Sequence, residues 1–335
     1  MRPTAFALVS CCLLLLVSAS AFFINDYSKS GNIFYLAGGR PEMGDINNLR
    51  NFAVNTSLPK DPRSMKIYAI RNPTFTQESC SNLVDRDYPG WLDDSVTVKE
   101  SSGEHGGETV RGTSFKKDER QILVHDSGSL QLMEESATFR WESVKNRMRA
   151  ANQSFRGEQN MTFEDTLLVS KDEALNRSID YALDHGGLPA DWFVSSRAVS
   201  VEMGMGCTFA CDYLIYLDRK VDGYPVVGSG GEGAMVGMTP LGEVSNYIVL
   251  WRDISGVKRT AHIVSSETAL AYLDRHPAHC TMHGKVTIER IELGYYSAPF
   301  DNVQTEMNPV WVFYTNPQCT QYEFVDALGL RFSRA

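Results

Sequence analysis

Ser170-Lys-Asp-Glu-Ala-Leu-Asn-Arg-Ser-Ile-Asp-Tyr-Ala-Leu-Asp-His-Gly-Gly187 is the stretch that decides the fold. Ser170 and Glu173 have the spacing of a capping box, in which each side chain satisfies the other residue's free amide. Leu175, Ile179, Ala182 and Leu183 recur at helical spacing, and Gly186-Gly187 ends the helix. The period then changes. Val199, Val201 and Met203 alternate, and Tyr213-Leu-Ile-Tyr-Leu217 is a short apolar run. Asp222-Gly223 is a hairpin signal, and Glu243 to Trp251 returns as a strand.

The plan recurs further along. Ser265-Ser-Glu-Thr-Ala269 starts a helix carrying Ala269, Leu270 and Leu273, which Pro277 ends. Val286, Ile288, Ile291, Leu293 and Tyr295 mark a long strand, and residues 309–315 supply its partner. Upstream, Met65 to Arg71 alternates like a strand, and a short helix from Thr76 carries Cys80, Leu83 and Val84. Asp87 to Gly112 is polar and glycine-rich and reads as loop; Ile122–His125 and Ser129–Met133 read as strands around a Ser127-Gly128 turn. The expected class is α+β: repeated units of a short helix packed on an antiparallel β-meander. The expected division is 1–24, a signal peptide or N-terminal membrane anchor; 25–64, an irregular lead-in; 65–139, a first α+β module; 140–165, a charged connector; and 166–335, a tandem α+β module.

Arg2 precedes an uncharged run from Pro3 to Ile24 with an apolar centre, Ala5 to Val17, and a small-residue site at Ser18-Ala-Ser-Ala21. This is a secretory signal pattern with cleavage after Ala21. The same run, left uncleaved, is long enough for an anchor. Both place the protein outside the cytoplasm, secreted or held at the cell envelope. Four N-x-S/T sequons agree with export and mark Asn55, Asn152, Asn160 and Asn176 as glycosylation candidates. Five cysteines follow the leader, so at least one is left without a partner in the chain. Cys207 and Cys211 cannot bridge along one strand, where about 3.3 Å per residue sets them about 13 Å apart against a limit near ~7 Å. A formal charge of −9 and the lack of any basic run argue against nucleic acid as a partner.

Ser170-Lys-Asp-Glu-Ala174, Tyr213-Leu-Ile-Tyr216, Val221-Asp-Gly-Tyr-Pro-Val226 and Gly242-Glu-Val244 together resemble the PepSY-type propeptide-like domain. Ile291-Glu-Leu-Gly-Tyr-Tyr296 followed by Pro309-Val-Trp-Val-Phe313 is similar to the C-terminal part of secreted PepSY-like proteins, which include accessory regulators of sensor kinases. The resemblance covers residues 165–315 and, more weakly, 65–137. It implies a non-enzymatic extracytoplasmic binding or regulatory protein that modulates a protease or a membrane sensor. No protease domain accompanies the module, which counts against a simple propeptide role.

Gly228-Ser-Gly-Gly-Glu-Gly233 satisfies the dinucleotide pattern, with Asp253 20 residues beyond. That motif must open a helix, and Pro240, Gly237 and Gly242 preclude one here. A hairpin loop is the favoured reading. His276-Pro-Ala-His279-Cys280-Thr-Met-His283 gathers four N/S ligand types, so His276, His279, Cys280 and His283 are the candidate zinc or copper ligands of an alternative, envelope metal-binding function. A hairpin between the 286 and 309 strands brings Cys319 near residue 286, which makes Cys280 and Cys319 a disulfide candidate that competes with metal. No other cofactor is implied. No metalloprotease, hydrolase, phosphate-loop or EF-hand motif is present. The pairs Asp93-Asp94 and Glu134-Glu135 read as solvated surface; Trp251, Trp311, Tyr295 and Tyr296 read as core or cross-strand pairs. The expected partner is a protein or peptide met at a sheet edge or face, with the membrane touched only through the N-terminal segment. Recognition at the edge of the Glu243–Trp251 or Pro309–Thr315 strand requires that strand to be unpaired on one side.

Overall fold

The computed structural model describes residues 33–34, 49–60, 62–105, 108–154, 167–204, 207–228, 232–275, 286–315 and 322–328. Strands β1 (Ile33–Phe34), β2 (Phe52–Val54) and β3 (Ser64–Arg71) precede helix α1 (Gln77–Asp87). β4 (Thr97–His105), β5 (Glu108–Lys117), β6 (Arg120–His125) and β7 (Leu130–Glu134) run as a meander into α2 (Glu135–Ser154). After α3 (Lys171–Asp184) come β8 (Trp192–Gly204), β9 (Cys207–Val221), β10 (Tyr224–Val227), β11 (Gly233–Met238), β12 (Val244–Leu250) and β13 (Asp253–His262). Helix α4 (Ser266–Arg275) then leads to β14 (Val286–Tyr296), β15 (Glu306–Met307), β16 (Pro309–Thr315) and β17 (Tyr322–Asp326). The fold mixes helix and strand, strands dominate, and most pairings are antiparallel.

Local chemistry explains where elements begin. Thr76 caps α1 by accepting from Ser79 N, while Ser79 Oγ accepts from Thr76 N, a reciprocal box. At α3 the box is only half made. Ser170 Oγ accepts from Glu173 N, but the Glu173 carboxylate turns to Arg177 one helical turn on. Gly186 and Gly187, at φ 94° and 75°, end that helix. Asp222 and Gly223, at φ 52° and 81°, make the hairpin turn that joins β9 to β10.

Fourteen strands form one sheet, in the order β1-β17-β16-β14-β10-β9-β11-β12-β7-β6-β5-β4, with β2 beside β14 and β8 beside β9. A second sheet runs β13-β3-β15. β14 and β16 pair antiparallel, as their sequence suggests, from Ile288↔Thr315 to Tyr295↔Pro309. Gly294 is required there, because a Cβ would sit 2.9 Å from the Pro225 carbonyl of β10. Two main cores result. One gathers Leu270, Leu273, Ile288, Trp311 and Phe313 under α4; the other gathers Val84, Phe115, Ile122, Leu217, Val236 and Tyr247 under α1 and α3. Trp311 and Tyr295 are buried core residues, whereas Trp251 and Tyr296 are half-buried.

The structure corrects several expectations. The supposed loop Asp87–Gly112 holds β4 and the start of β5. Lys99, Glu100 and other exposed residues break the alternation, because this strand lies at the sheet margin where no face demands apolar side chains. Residues 140–154, read as connector, continue α2, whose Trp141 donates from Nε1 to the Ala210 carbonyl at 2.9 Å. The lead-in contains β2, which pairs in parallel with β14. Glu134 is not free surface: Arg120 Nε donates to it at 2.7 Å. Asp93 is exposed, as expected, and takes Lys117 Nζ at 2.5 Å, which holds its carboxyl down at about 2.

Candidate functional site

The chain leaves the large sheet at Trp251 and enters the small one at Asp253, and Arg252 between them is buried. Its guanidinium gathers a distant loop, residues 297–305. Nε donates to Ser297 Oγ at 3.1 Å, Nη1 to the Asn302 carbonyl at 3.2 Å, and Nη2 to the carbonyls of Ala298 and Pro299 at 2.8 and 3.2 Å. The Glu232 carboxylate accepts the Arg252 backbone N–H at 3.0 Å and pairs with Arg219. Glu232 N donates to Ser297 Oγ at 2.9 Å. Burial pushes the Glu232 carboxyl up to about 7 against the pull of the two arginines. It pushes Arg252 down to about 10, against the carboxylates of Glu232 and Asp301 and the Tyr296 phenol, and the guanidinium stays charged at neutral pH.

The middle of the loop, at Phe300, meets the turn after β6. Ser127 Oγ donates to the Phe300 carbonyl at 2.5 Å. The His125 ring packs edge-on against Phe300 with centroids 5.4 Å apart. That ring is 8% exposed, and neither of its nitrogens has a hydrogen-bond partner. Asp126 beside it is paired with Arg111 Nε at 3.3 Å. Gly128, at φ 88°, lies against Pro73, where a Cβ would come within 2.9 Å of the ring. Segments from both sheets therefore converge: the 125–129 turn, residues 72–75, the 297–305 loop and Arg252. Ile70 N also donates to the Thr305 carbonyl at 3.0 Å, and Asn72 Nδ2 to the Gln304 carbonyl at 2.9 Å. Chemically the junction holds chain rather than transforms a ligand. Ser127 donates its proton to a carbonyl, and the Glu232 carboxylate is pinned by arginines.

The sequence-predicted sites lie elsewhere. His276, His279, Cys280, His283 and Cys319 fall outside the described residues, as does Asn160. Among the described residues no group of three or more His, Cys, Asp or Glu is arranged to hold a metal. Asn55 and Asn176 are exposed, and Asn152 lies in the last turn of α2. Cys207 and Cys211 both belong to β9, so the distance limit between them applies. Gly233, the last glycine of the Gly-rich motif, opens strand β11 and no helix. No described helix is long and apolar enough to cross a membrane. Arg252 and His125 escaped the sequence reading. The only local hint was a charged residue wedged between two strands.

Edge recognition at the two strands first considered is closed. β12 lies between β11 and β7, and β16 between β14 and β17. The longer margins among the described strands are β4, β8 and β13. β8 and β13 are each interrupted by two register shifts against their single neighbour. β4 pairs with β5 in unbroken register from Thr97↔Lys116 to His105↔Glu108.

No family model and no curated protein matches the chain. Among solved structures it is similar to the crystal structure of an uncharacterized protein from Eubacterium rectale, at 14% identity over 85% of this chain and 90% of that one, with a TM-score of 0.45.

Proposed function

We propose that this is a non-enzymatic, extracytoplasmic, PepSY-like binding or regulatory protein that takes an extended segment of a protein partner along β4. The observation that carries the reading is the unbroken margin of β4. A regular edge strand leaves half of its N–H and C=O groups pointing outward for a new strand, whereas bulges at β8 and β13 twist such groups out of line. The repeated unit of the sequence reading has support in element order: α1, α3 and α4 each precede a run of mostly antiparallel strands. Nothing in the described residues indicates an enzymatic activity.

The test uses the purified protein and a peptide selected on it from a displayed library of extended sequences. Proline replaces Lys99 and Glu100 in separate variants, since one of the two neighbours directs its amide outward. The variant whose proline faces outward is expected to weaken the peptide at least about tenfold, about 1.4 kcal/mol, with its thermal melting unchanged. Lys258→Pro, at a bulge of β13, is expected to leave affinity as it was. If neither β4 variant weakens binding, or if Lys258→Pro does, the edge reading is wrong.

A further inference from the structure

We propose that His125 is an acid-released latch between the two sheets: neutral, it keeps the 297–305 loop seated on the 126–129 turn, and once charged it lets the loop go. The inference is independent of which partner the edge of β4 takes.

The geometry supplies the reason. A neutral imidazole tolerates an apolar seat, and Phe300 provides one, edge to face. A charged imidazole has two N–H donors, and here neither ring nitrogen has an acceptor in reach. Burying such a cation without partners is costly. The charged groups around it are few. Its own turn brings Asp126, already engaged by Arg111 of β5, and the loop brings Asp301. Residues 72–75, packed on the same turn, carry no charge. The two carboxylates favour the cation, burial opposes it, and burial is the larger influence, so the imidazole titrates below its ordinary 6.5. A histidine lowered in this way adds stability above pH 6.5 that is lost as the pH falls below it.

Release is local because the residues on both sides of Phe300, Pro299 and Asn302, are held by a different kind of charge. Arg252 stays a cation throughout this range and keeps its bonds to Ser297, Ala298, Pro299 and Asn302. Glu232 faces Arg219 and Arg252, not His125. The bend at Phe300 therefore leaves its seat while Pro299 and Asn302 on either side of it stay held.

The experiment is carried out on the whole chain. NMR follows the His125 ring through pH 7.5 to 5.0, and hydrogen exchange, corrected for intrinsic rates, compares peptides covering 297–305 with peptides from β16. The proposal expects titration below 6.5 and several-fold faster exchange in 297–305 at pH 5.0. It expects unchanged protection in β16, and no pH effect on the loop in His125→Phe and His125→Gln. Two variants are used so that a packing defect in one does not decide the matter. Titration at or above 6.5 overturns the latch. So does a loop that exchanges alike at both pH values, or a pH effect that survives in both variants. An equal rise in β16 also overturns it, since that is global unfolding.

Discussion

The 297–305 loop is held in opposite ways at the two ends of the junction, Arg252 and His125. At the Arg252 end a buried cation meets a serine and three carbonyls of the loop through four side-chain bonds, and its backbone N–H donates to the buried Glu232 carboxylate. At the His125 end a buried ring meets a phenylalanine and makes no hydrogen bond of its own. A hydrogen-bonded charge network is hard to replace piece by piece, because removing one member strands the others. An unpartnered neutral ring is easy to replace by a hydrocarbon, because nothing depends on its nitrogens. The difference separates what fixes the junction from what adjusts it.

The largest effect is expected from Arg252→Met. It removes a nearby positive charge from Glu232, whose bond to the backbone N–H at 252 survives, and deprives Ser297 and three carbonyls of their donor. It should cost about 3–5 kcal/mol in chemical denaturation. A loss under about 1 kcal/mol would abolish the contrast, since the charged end would then be no firmer than the other. The next effect is a dependence on pH. Glu232 is raised from 4.5 to about 7 in the fold. Its contribution is complete below 4.5 and is lost as the pH rises through 7. The wild type should therefore lose stability as the pH rises from 4.5 to 7, and Glu232→Gln should flatten that decline. A decline of the same slope in both would assign it to another group. The smallest effect is expected from His125→Leu at pH 7.5, within about 1 kcal/mol of wild type and on the stabilising side. A loss as large as that of Arg252→Met would show that the ring nitrogens do have partners, and the two ends would be alike.

Little of this junction was legible in the sequence, and the reason is distance along the chain. Arg252 is buried by residues 45 to 50 positions later, and Ser127 meets Phe300 across 173. No local period encodes such meetings. Features with a local cause were legible. The helix start at Thr76, the cap at Ser170, the Asp222-Gly223 turn and the apolar run Pro309–Thr315 all appear where their chemistry places them. β4 was missed because a margin strand with Lys99 and Glu100 exposed needs no apolar face. Neighbour choice was likewise hidden. β3 has the alternation of a strand but gives no sign that its partners are β13 and β15.

That choice of partners sets an order of assembly. Ile70 pairs with Ile254, Tyr68 with Met307, Phe52 with Val286 and Ile33 with Phe324. The first strands to be made are thus completed by some of the last. A chain threaded N-terminus first, through a ribosome or an export channel, holds Met65, Ile67 and Ile70 without their sheet until nearly all of it has emerged. Contacts of such long span close slowly, on the order of milliseconds to seconds even in small domains. The apolar face of β3 is exposed to aggregation during that wait. The sheet around β3 is consequently where a holding chaperone helps most, and where a truncation after β14 leaves the beginning of the protein unfinished.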